Sequence, residues 1–279
     1  MKVRVLTAIG IGVVGIPILI FSDTVVYPIA LGLLSLLAVW ELLRVFGLHK
    51  KYTVSVPSYL ISALLPFISS DLFVGAERHR DHLLFLAIVM FGFLLYLAAV
   101  SVLSGGKMSF ANLSGVFTSV CYVTVSFTAM SLLRYMECGG FFVGILFTAC
   151  WSCDTFAYFT GRLFGKHKLS PELSPKKTVE GSLGGILFSV LGCLLFGLIV
   201  ELLFEERSAD YPVLAVIGLV CSLVSQIGDL FASLIKREHG VKEYSRMLPG
   251  HGGVMDRFDS ILASAGVLMV ICMIASPIK

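Results

Sequence analysis

Aspartates stand in or beside long apolar stretches at three places in the chain. Asp154 lies in Cys-Trp-Ser-Cys-Asp-Thr-Phe-Ala-Tyr, Asp229 lies in Ser-Gln-Ile-Gly-Asp-Leu-Phe, and Asp256 and Asp259 begin the last apolar stretch. An ionised carboxylate inside a bilayer is costly, so such a group is normally paired, protonated or bound to a metal ion. Two explanations stay open for each acid: a structural ion pair with a Lys or Arg of another helix, or a functional metal site.

Helical spacing groups these acids with other polar side chains. Ser225, Asp229, Ser233 and Lys236 follow one another at intervals that place them on one face of a helix. Asp256 and Asp259 are three residues apart and would also share a face. Mg²⁺ is usually bound through one or two carboxylates together with substrate phosphates and water. Acids at these positions therefore suit Mg²⁺ with phosphate nearby, while the structural ion pair stays open as the alternative.

A basic segment, Ser-Pro-Lys-Lys-Thr at residues 174–178, precedes the apolar run that begins near residue 181. A helix start offers N–H groups to an anion, and lysine adds a point charge for phosphate. Lys176, Lys177 and Thr178 are therefore predicted to bind a phosphate group. The alternative is a loop that contacts anionic lipid head groups. Gly181 and Gly185 also fit a small-residue motif for helix packing.

The elements that carry these residues are predicted to be membrane-spanning helices. The chain is 57% hydrophobic and 14% charged, whereas a soluble domain carries about 25% charged residues. Because lipid offers no hydrogen-bond partners, the backbone groups of a span must be paired within the protein, as they are in a helix or a closed barrel. The sequence lacks the alternation of polar and apolar residues that is typical of barrel strands. The predicted fold is an all-α, polytopic transmembrane helix bundle. Its nine or so spans lie at roughly 5–21, 24–46, 53–70, 83–104, 110–133, 139–160, 181–203, 211–235 and 259–276.

The distribution of basic residues predicts a cytoplasmic N-terminus. With that orientation, nine spans place most of the 21 Lys and Arg residues on the inner side, as the positive-inside rule requires. Two inner loops, at 161–180 and 236–258, are longer and more basic than a connection needs. We accordingly divide the chain into residues 1–135, transmembrane helices for lipid access or an interface, and residues 136–279, a transmembrane region with both basic cytoplasmic loops.

The second loop carries the most specific pattern in the chain, and it resembles the signature of the phosphatidate cytidylyltransferase family. Glu243 stands where that family usually has Asp. Blocks at 151–158, 161–165 and 174–178 resemble the same family, so the resemblance covers about residues 150–260. The matching signature positions are Ser233, Lys236, Arg237, Lys242, Ser245, Pro249, His251, Gly252, Gly253, Asp256, Arg257 and Asp259.

The resemblance implies an enzyme, a nucleotidyltransferase that converts CTP and phosphatidic acid to CDP-diacylglycerol and pyrophosphate with Mg²⁺. It also implies that residues 136–279 are the catalytic region. A second, monovalent ion is compatible with it. The lipid phosphate is already an anion, so the demand is for positioning and charge neutralisation rather than for a strong base.

Each site residue then receives a hypothetical role. Asp229 and Asp256 hold Mg²⁺ on the CTP phosphates, with help from Asp259, and Asp154 serves the metal or the nucleotide. His251 either contacts phosphate or shapes the turn, and Arg257 either grips the lipid phosphate or pairs with an Asp. Lysine and arginine side chains neutralise the triphosphate, while glycines let the backbone approach phosphate; these are Lys176, Lys177, Lys236, Arg237, Gly250, Gly252 and Gly253.

The expected location is the inner cell membrane, with the active site at the cytoplasmic face, where dissolved CTP and a lipid head group can meet. The expected partners are phosphatidic acid, CTP and the bilayer, with no nucleic acid; a homodimer is compatible with the sequence. Other classes were weighed as alternatives: a transporter, which often has paired repeats, and another CTP-using or CDP-handling lipid enzyme.

Overall fold

The computed structural model describes residues 2–69, 79–105 and 108–279, so the last residue of the predicted span 53–70 lies outside the described residues. Those ranges form nine helices and one two-stranded hairpin. The helices are α1 (Lys2–Ile20), α2 (Val26–Val45), α3 (Tyr52–Ile68), α4 (His79–Leu103), α5 (Phe110–Tyr135), α6 (Gly139–Phe164), α7 (Val179–Leu203), α8 (Tyr211–Glu238) and α9 (Met255–Ile274). The antiparallel strands are β1 (Lys168–Ser170) and β2 (Ser174–Thr178).

Seven of the helices are long and apolar enough to cross a membrane, namely α2 and α4–α9. Of the other two, α3 is shorter, with 17 residues, and contains Pro57 and Pro66, whereas α1 has 19 residues and contains Pro17. The prediction of an all-α, polytopic bundle is confirmed, and the chain is a multi-pass membrane protein. The number of crossings and the side of the N-terminus stay predictions. The hairpin was not predicted, since its residues were assigned to a loop.

The chain forms two compact units, each of which is described by itself. The first contains residues 1–135 and 239–257, and the second contains residues 136–238 and 258–279. One boundary between the units lies after residue 135, and segment 239–257 is part of the first unit. The domains predicted from the sequence, residues 1–135 and 136–279, stay predictions. The functions assigned to the two regions stay predictions.

The first unit is built around α2, α3 and α5, which pack against one another. The approach of α2 to α3 is close because Gly32 has no side chain, and a Cβ there would overlap the carbonyl oxygen of Ala63. The face of α3 that carries Ser55, Ser58 and Ser62 is fully buried. Small residues thus let these helices gain packing contacts, which lipid-exposed leucines cannot provide.

The second unit is built around α6, α7 and α8, with the hairpin before the start of α7. A Cβ on Gly181 would lie 2.6 Å from the carbonyl oxygen of Ala157 and 3.1 Å from the Cα of Gly161. A Cβ on Gly185 would lie 2.9 Å from the carbonyl oxygen of Cys153. The predicted packing role of Gly181 and Gly185 is therefore confirmed, and it brings α6 and α7 together next to the hairpin.

We expect Gly181→Ala to destabilise the protein by about 1–3 kcal/mol, because the new methyl group has no room between α6 and α7. Thermal unfolding in detergent would show this as a lower Tm. Gly92→Ala in α4 is the matched control, since a Cβ there meets nothing within 4 Å and alanine is the better helix former. Equal Tm values for the two variants would contradict the close approach.

Candidate active site

The predicted site residues occur in both units. The second unit contains Asp154, Lys176, Lys177, Thr178, Asp229, Lys236, Arg237 and Asp259. The first unit contains Gly250, His251, Gly252, Gly253, Asp256 and Arg257.

A charged cavity of about 340 Å³ lies within the second unit. Helix α6 contributes Asp154 to its wall, α8 contributes Asp229, and β2 contributes Lys176 and Lys177. Gly161 of α6 and Gly181 of α7, which lie where these two helices pack closely, also line the cavity. The complete lining is Asp154, Ala157, Tyr158, Gly161, Arg162, Leu169, Lys176, Lys177, Thr178, Gly181, Ser182, Gln226 and Asp229.

An ion pair joins two of the predicted site residues across this cavity. The Nζ atom of Lys177 lies 2.5 Å from Oδ2 of Asp229, and both side chains are about one-quarter to one-third exposed, at 26% and 30%. The hydroxyl of Ser233 donates to Oδ1 of Asp229 at 3.5 Å, as the predicted helical spacing requires. Of the two explanations left open for Asp229, the structure shows an ion pair. A metal role stays a prediction.

Two further aspartates lie near Asp229 in the same unit. Oδ2 of Asp154 accepts a hydrogen bond from the hydroxyl of Ser260 at 3.0 Å. Asp259 lies within electrostatic range of Asp229, Asp154 and Lys236. The structure therefore brings together three of the predicted acids, which repel one another and attract cations.

These acids fit Mg²⁺, which keeps water and phosphate ligands, better than they fit a metal ion whose ligands are all protein side chains. Within residues 2–69, 79–105 and 108–279, no three His, Cys, Asp or Glu side chains are grouped so that they could bind a metal ion by themselves. Mg²⁺ does not need such a group, because it keeps water and takes substrate phosphate as ligands. Carboxylates beside two lysines are consistent with a metal ion that arrives with a polyphosphate.

The hairpin holds the lysines next to the start of α7. The hydroxyl of Thr178 accepts a hydrogen bond from the amide of Gly181 at 3.1 Å, so Thr178 is the N-cap of α7. Oε2 of Glu180 accepts hydrogen bonds from the amides of Lys166 at 3.1 Å and His167 at 3.2 Å. Thr178 is only 8% exposed. Its hydroxyl is thus engaged in capping, and its predicted contact with a phosphate group stays a prediction.

Arg237, which was predicted to neutralise phosphate, contacts the hairpin. Its Nε donates to the carbonyl oxygen of Leu173 at 3.4 Å, in the turn between the strands. The guanidinium is otherwise exposed. Its position supports the hairpin that bears Lys176 and Lys177.

In the first unit, residues 244–256, which we call the signature loop, contain a tight turn. The amide of His251 donates to the carbonyl oxygen of Leu248 at 2.8 Å, and the amide of Leu248 donates to the carbonyl oxygen of Gly252 at 2.9 Å. Pro249 and Gly250, with φ of +76°, occupy the central positions that a type II turn favours. His251 therefore shapes the turn through its backbone, while phosphate contact by its side chain stays a prediction.

Asp256, a predicted metal ligand, is occupied with the loop. Its Oδ2 accepts hydrogen bonds from the amides of Tyr244 at 2.9 Å and Gly253 at 3.0 Å. Arg257 follows it and is exposed. A Cβ on Gly252 would lie 2.7 Å from Oδ2 of Asp256. The glycine is therefore required by the loop itself, whatever role phosphate plays.

The sequence analysis missed Glu41, an acid buried in α2. Its carboxylate accepts hydrogen bonds from the hydroxyl of Ser245 at 2.6 Å and from the amides of Val254 at 2.9 Å and Met255 at 2.8 Å. A charged residue within the apolar run 24–46 was the available signal. It was overlooked because only the C-terminal motifs carried a resemblance.

The helices and the cavity together define a multi-pass membrane protein with acidic and basic side chains around a cavity of its second unit. The sequence profile of the cytidylyltransferase family matches residues 2–275. A phosphatidate cytidylyltransferase of Staphylococcus haemolyticus is 37% identical over 262 residues, which cover 94% of this chain and 95% of the relative. Proteins with the same name from Staphylococcus saprophyticus and Staphylococcus aureus are 35% and 36% identical, with the same coverage.

The chain therefore belongs to the cytidylyltransferase family and is a nucleotidyltransferase. The resemblance seen in residues 150–260 is confirmed. The match also extends through the N-terminal helices, for which the sequence motifs gave no indication.

We expect Thr178→Val to lower the stability of the protein by about 0.5–2 kcal/mol, because valine keeps the shape of threonine but cannot cap α7. The measurement is the Tm in detergent. Thr178→Ser keeps the hydroxyl and should remain close to the unsubstituted protein. If valine and serine gave the same Tm, the capping hydrogen bond would contribute nothing.

Proposed function

We propose that this protein transfers the cytidylyl group of CTP to the phosphate of phosphatidic acid, which yields CDP-diacylglycerol and pyrophosphate. The observation that carries the proposal is the cavity of the second unit, where Asp154 and Asp229 face Lys176 and Lys177. The names of the relatives, phosphatidate cytidylyltransferase, support the choice of substrates.

The reaction is a displacement at the α-phosphorus of CTP. An oxygen of the lipid phosphate forms a bond to that phosphorus, the bond from the phosphorus to the oxygen that bridges to the β-phosphate breaks, and pyrophosphate leaves with the electron pair. The nucleophile is an anion from the start, so no side chain has to remove a proton. The difficulty is to bring two polyanions together, which requires cations and fixed positions.

The residues of the cavity divide this work. Lys176 and Lys177 bind the β- and γ-phosphates and the leaving pyrophosphate as point charges. Asp229 would hold Mg²⁺ together with substrate phosphate and water, and Asp154 and Asp259 would add negative charge beside it; when bound, the ion neutralises phosphate charge and orients the triphosphate. When the nucleotide binds, Lys177 exchanges the carboxylate of Asp229 for phosphate oxygens. Asp256 as a metal ligand and Lys236, Arg237 and Arg257 as phosphate ligands are further parts of the proposal.

The proposed location is the inner cell membrane, with the N-terminus and the cavity on the cytoplasmic side. The positive-inside rule supports this orientation. CTP is dissolved in the cytoplasm, and the phosphate of phosphatidic acid lies at the boundary between lipid and water. An active site at that boundary would take both substrates without removing the lipid from the membrane.

We expect Asp229→Asn to reduce CTP-dependent pyrophosphate release by about 100-fold or more, because the loss of one electrostatic contact to a transition state commonly costs that much. The assay uses the purified protein in detergent micelles with phosphatidic acid, and micelles with diacylglycerol or phosphatidylglycerol instead serve as substrate controls.

Asp210→Asn is the matched variant. Asp210 also pairs with a lysine, Lys279, at 3.2 Å. It directly precedes the first residue of α8, whereas Asp229 lies near the other end of that helix, so replacement of Asp210 should leave turnover unchanged. Near-normal turnover of Asp229→Asn with an unchanged Mg²⁺ dependence would reject the role of Asp229. Pyrophosphate release that ignores the lipid would reject the substrate.

We expect Lys177→Met to strengthen Mg²⁺ binding in the absence of nucleotide, because the lysine ammonium no longer competes for Asp229. A ligand that binds the folded state raises its stability in proportion to ln(1 + [L]/Kd). The Mg²⁺-induced rise in Tm should therefore begin at a lower Mg²⁺ concentration than in the unsubstituted protein. Lys279→Met removes the corresponding lysine from Asp210 and should leave the Mg²⁺ titration unchanged. Identical titrations for the two variants would contradict a metal site at Asp229.

A further inference from the structure

We propose that Glu41 is a positioning residue that holds the signature loop, residues 244–256, in its working shape. The inference goes beyond the proposed function in assigning a role to a helix of the N-terminal half, and it rests on that function only for the choice of the activity assay. Glu41 contacts the loop and not the substrates, so it would act through Asp256.

The contacts of Glu41 span a long separation in sequence. It is 0% exposed, and its three partners, Ser245, Val254 and Met255, come more than 200 residues later in the chain. Burial of a carboxylate is expensive unless its oxygens are hydrogen-bonded. The three hydrogen bonds offset that expense only while the loop keeps this conformation. The loop and the acid therefore stabilise each other.

Glu41 and Asp256 share the task of fixing the two ends of the loop. At the first end, Tyr244 donates its amide to Asp256 and Ser245 donates its hydroxyl to Glu41. At the second end, Gly253 donates to Asp256 while the next two amides donate to Glu41. The two carboxylates thus take alternate donors from both ends. The residues between the ends form a closed loop, and the Asp256 carboxylate is held in place from two directions.

The glycine at position 253 supports this account independently. A Cβ on Gly253 would overlap both carboxylate oxygens of Glu41. Its φ is not in the left-handed region, since Gly253 is absent from the positive-φ residues of the structure. The need for glycine there comes from the approach of Glu41 and not from backbone strain. Any side chain at this loop position would collide with the buried Glu41 carboxylate, so the contact with Glu41 restricts which residue the loop can have there.

The same carboxylate also binds the beginning of α9. Val254 and Met255 are the residues at which α9 starts, and their amides are among those that a helix leaves without an internal partner. A carboxylate at this end of a helix is favourable for hydrogen bonding and for the helix dipole. Glu41 therefore determines where α9 begins, and Asp256 lies in its first turn.

The test is Glu41→Gln, studied by hydrogen exchange with mass spectrometry and by pyrophosphate release. Glutamine has the same shape as glutamate, but its NH₂ group is a donor and cannot accept the hydrogen bonds that the loop donates to Glu41. We expect the amides of 244–256 to exchange about tenfold faster, as for the loss of a hydrogen bond to a charged group, while exchange in α7 stays unchanged. Turnover with CTP and phosphatidic acid should fall roughly 10- to 100-fold, the range seen for residues that orient other ligands.

Two further variants complete the experiment. Ser245→Ala removes one of the three hydrogen bonds and should give a smaller change of both readouts in the same direction; it also serves if Glu41→Gln does not fold. Glu201→Gln is the matched control. Glu201 accepts hydrogen bonds from the amide of Ala209 at 2.7 Å and the hydroxyl of Tyr211 at 2.5 Å, at the far end of α7, and its replacement should change neither readout.

The outcomes separate this inference from the proposed function. Unchanged exchange of 244–256 in Glu41→Gln would overturn it, and so would faster exchange with full turnover. If the unsubstituted protein released no pyrophosphate from CTP and phosphatidic acid, the proposed function would fail. The exchange of the loop in the variants, measured without substrates, would still decide whether Glu41 holds it.

Discussion

A carboxylate in an apolar helix has to satisfy its oxygens within the protein, because lipid offers neither water nor a counterion. This constraint accounts for the polar structure of both units. Asp229 is held by Lys177 and Ser233, Asp154 is held by Ser260, and Glu41 is held by a loop. Each acid is hydrogen-bonded or ion-paired to a different kind of element: Asp229 to strand β2, Asp154 to the first turns of α9, and Glu41 to a loop.

The close packing of helices makes these contacts attainable. Side chains as short as Asp and Ser can meet between helices only where backbones approach closely, and glycines provide that approach in the second unit. Gly161, Gly181 and Gly185 bring α6 against α7, and Thr178 begins α7 at the end of β2. The same contact therefore positions the lysines of the hairpin and the acid of α6. Packing and electrostatics depend on one set of small residues.

Much of this could be predicted from the sequence, for identifiable reasons. Long apolar runs gave the helices, because a span in lipid requires them. The spacing of Asp229 and Ser233 gave their shared face, because both lie on one regular helix. The signature positions gave the family, because the resemblance lies in consecutive residues. Gly181 was correctly assigned to packing for the same local reason.

What could not be predicted depends on contacts between distant residues. The partnership of Glu41 with Ser245 joins α2 to a loop 204 residues later, and no periodicity records it. Residues 239–257 lie in the same compact unit as Glu41, although they are distant from it in sequence. The strands at 168–178 are short and polar, and they carry no alternation by which a strand is recognised. The pairing of Lys177 with Asp229 could not be predicted either, because it depends on the position of strand β2.

The pair of Lys177 and Asp229 has a consequence for the electrical state of the cavity. One positive and one negative group 2.5 Å apart form a unit with almost no net charge, so this part of the wall attracts few mobile ions from solution. An incoming complex of a divalent cation with a polyanion also brings opposite charges together. If such a complex takes the place of the internal pair, each charge is exchanged for one of its own sign. Neither side chain is then left without a partner of opposite charge.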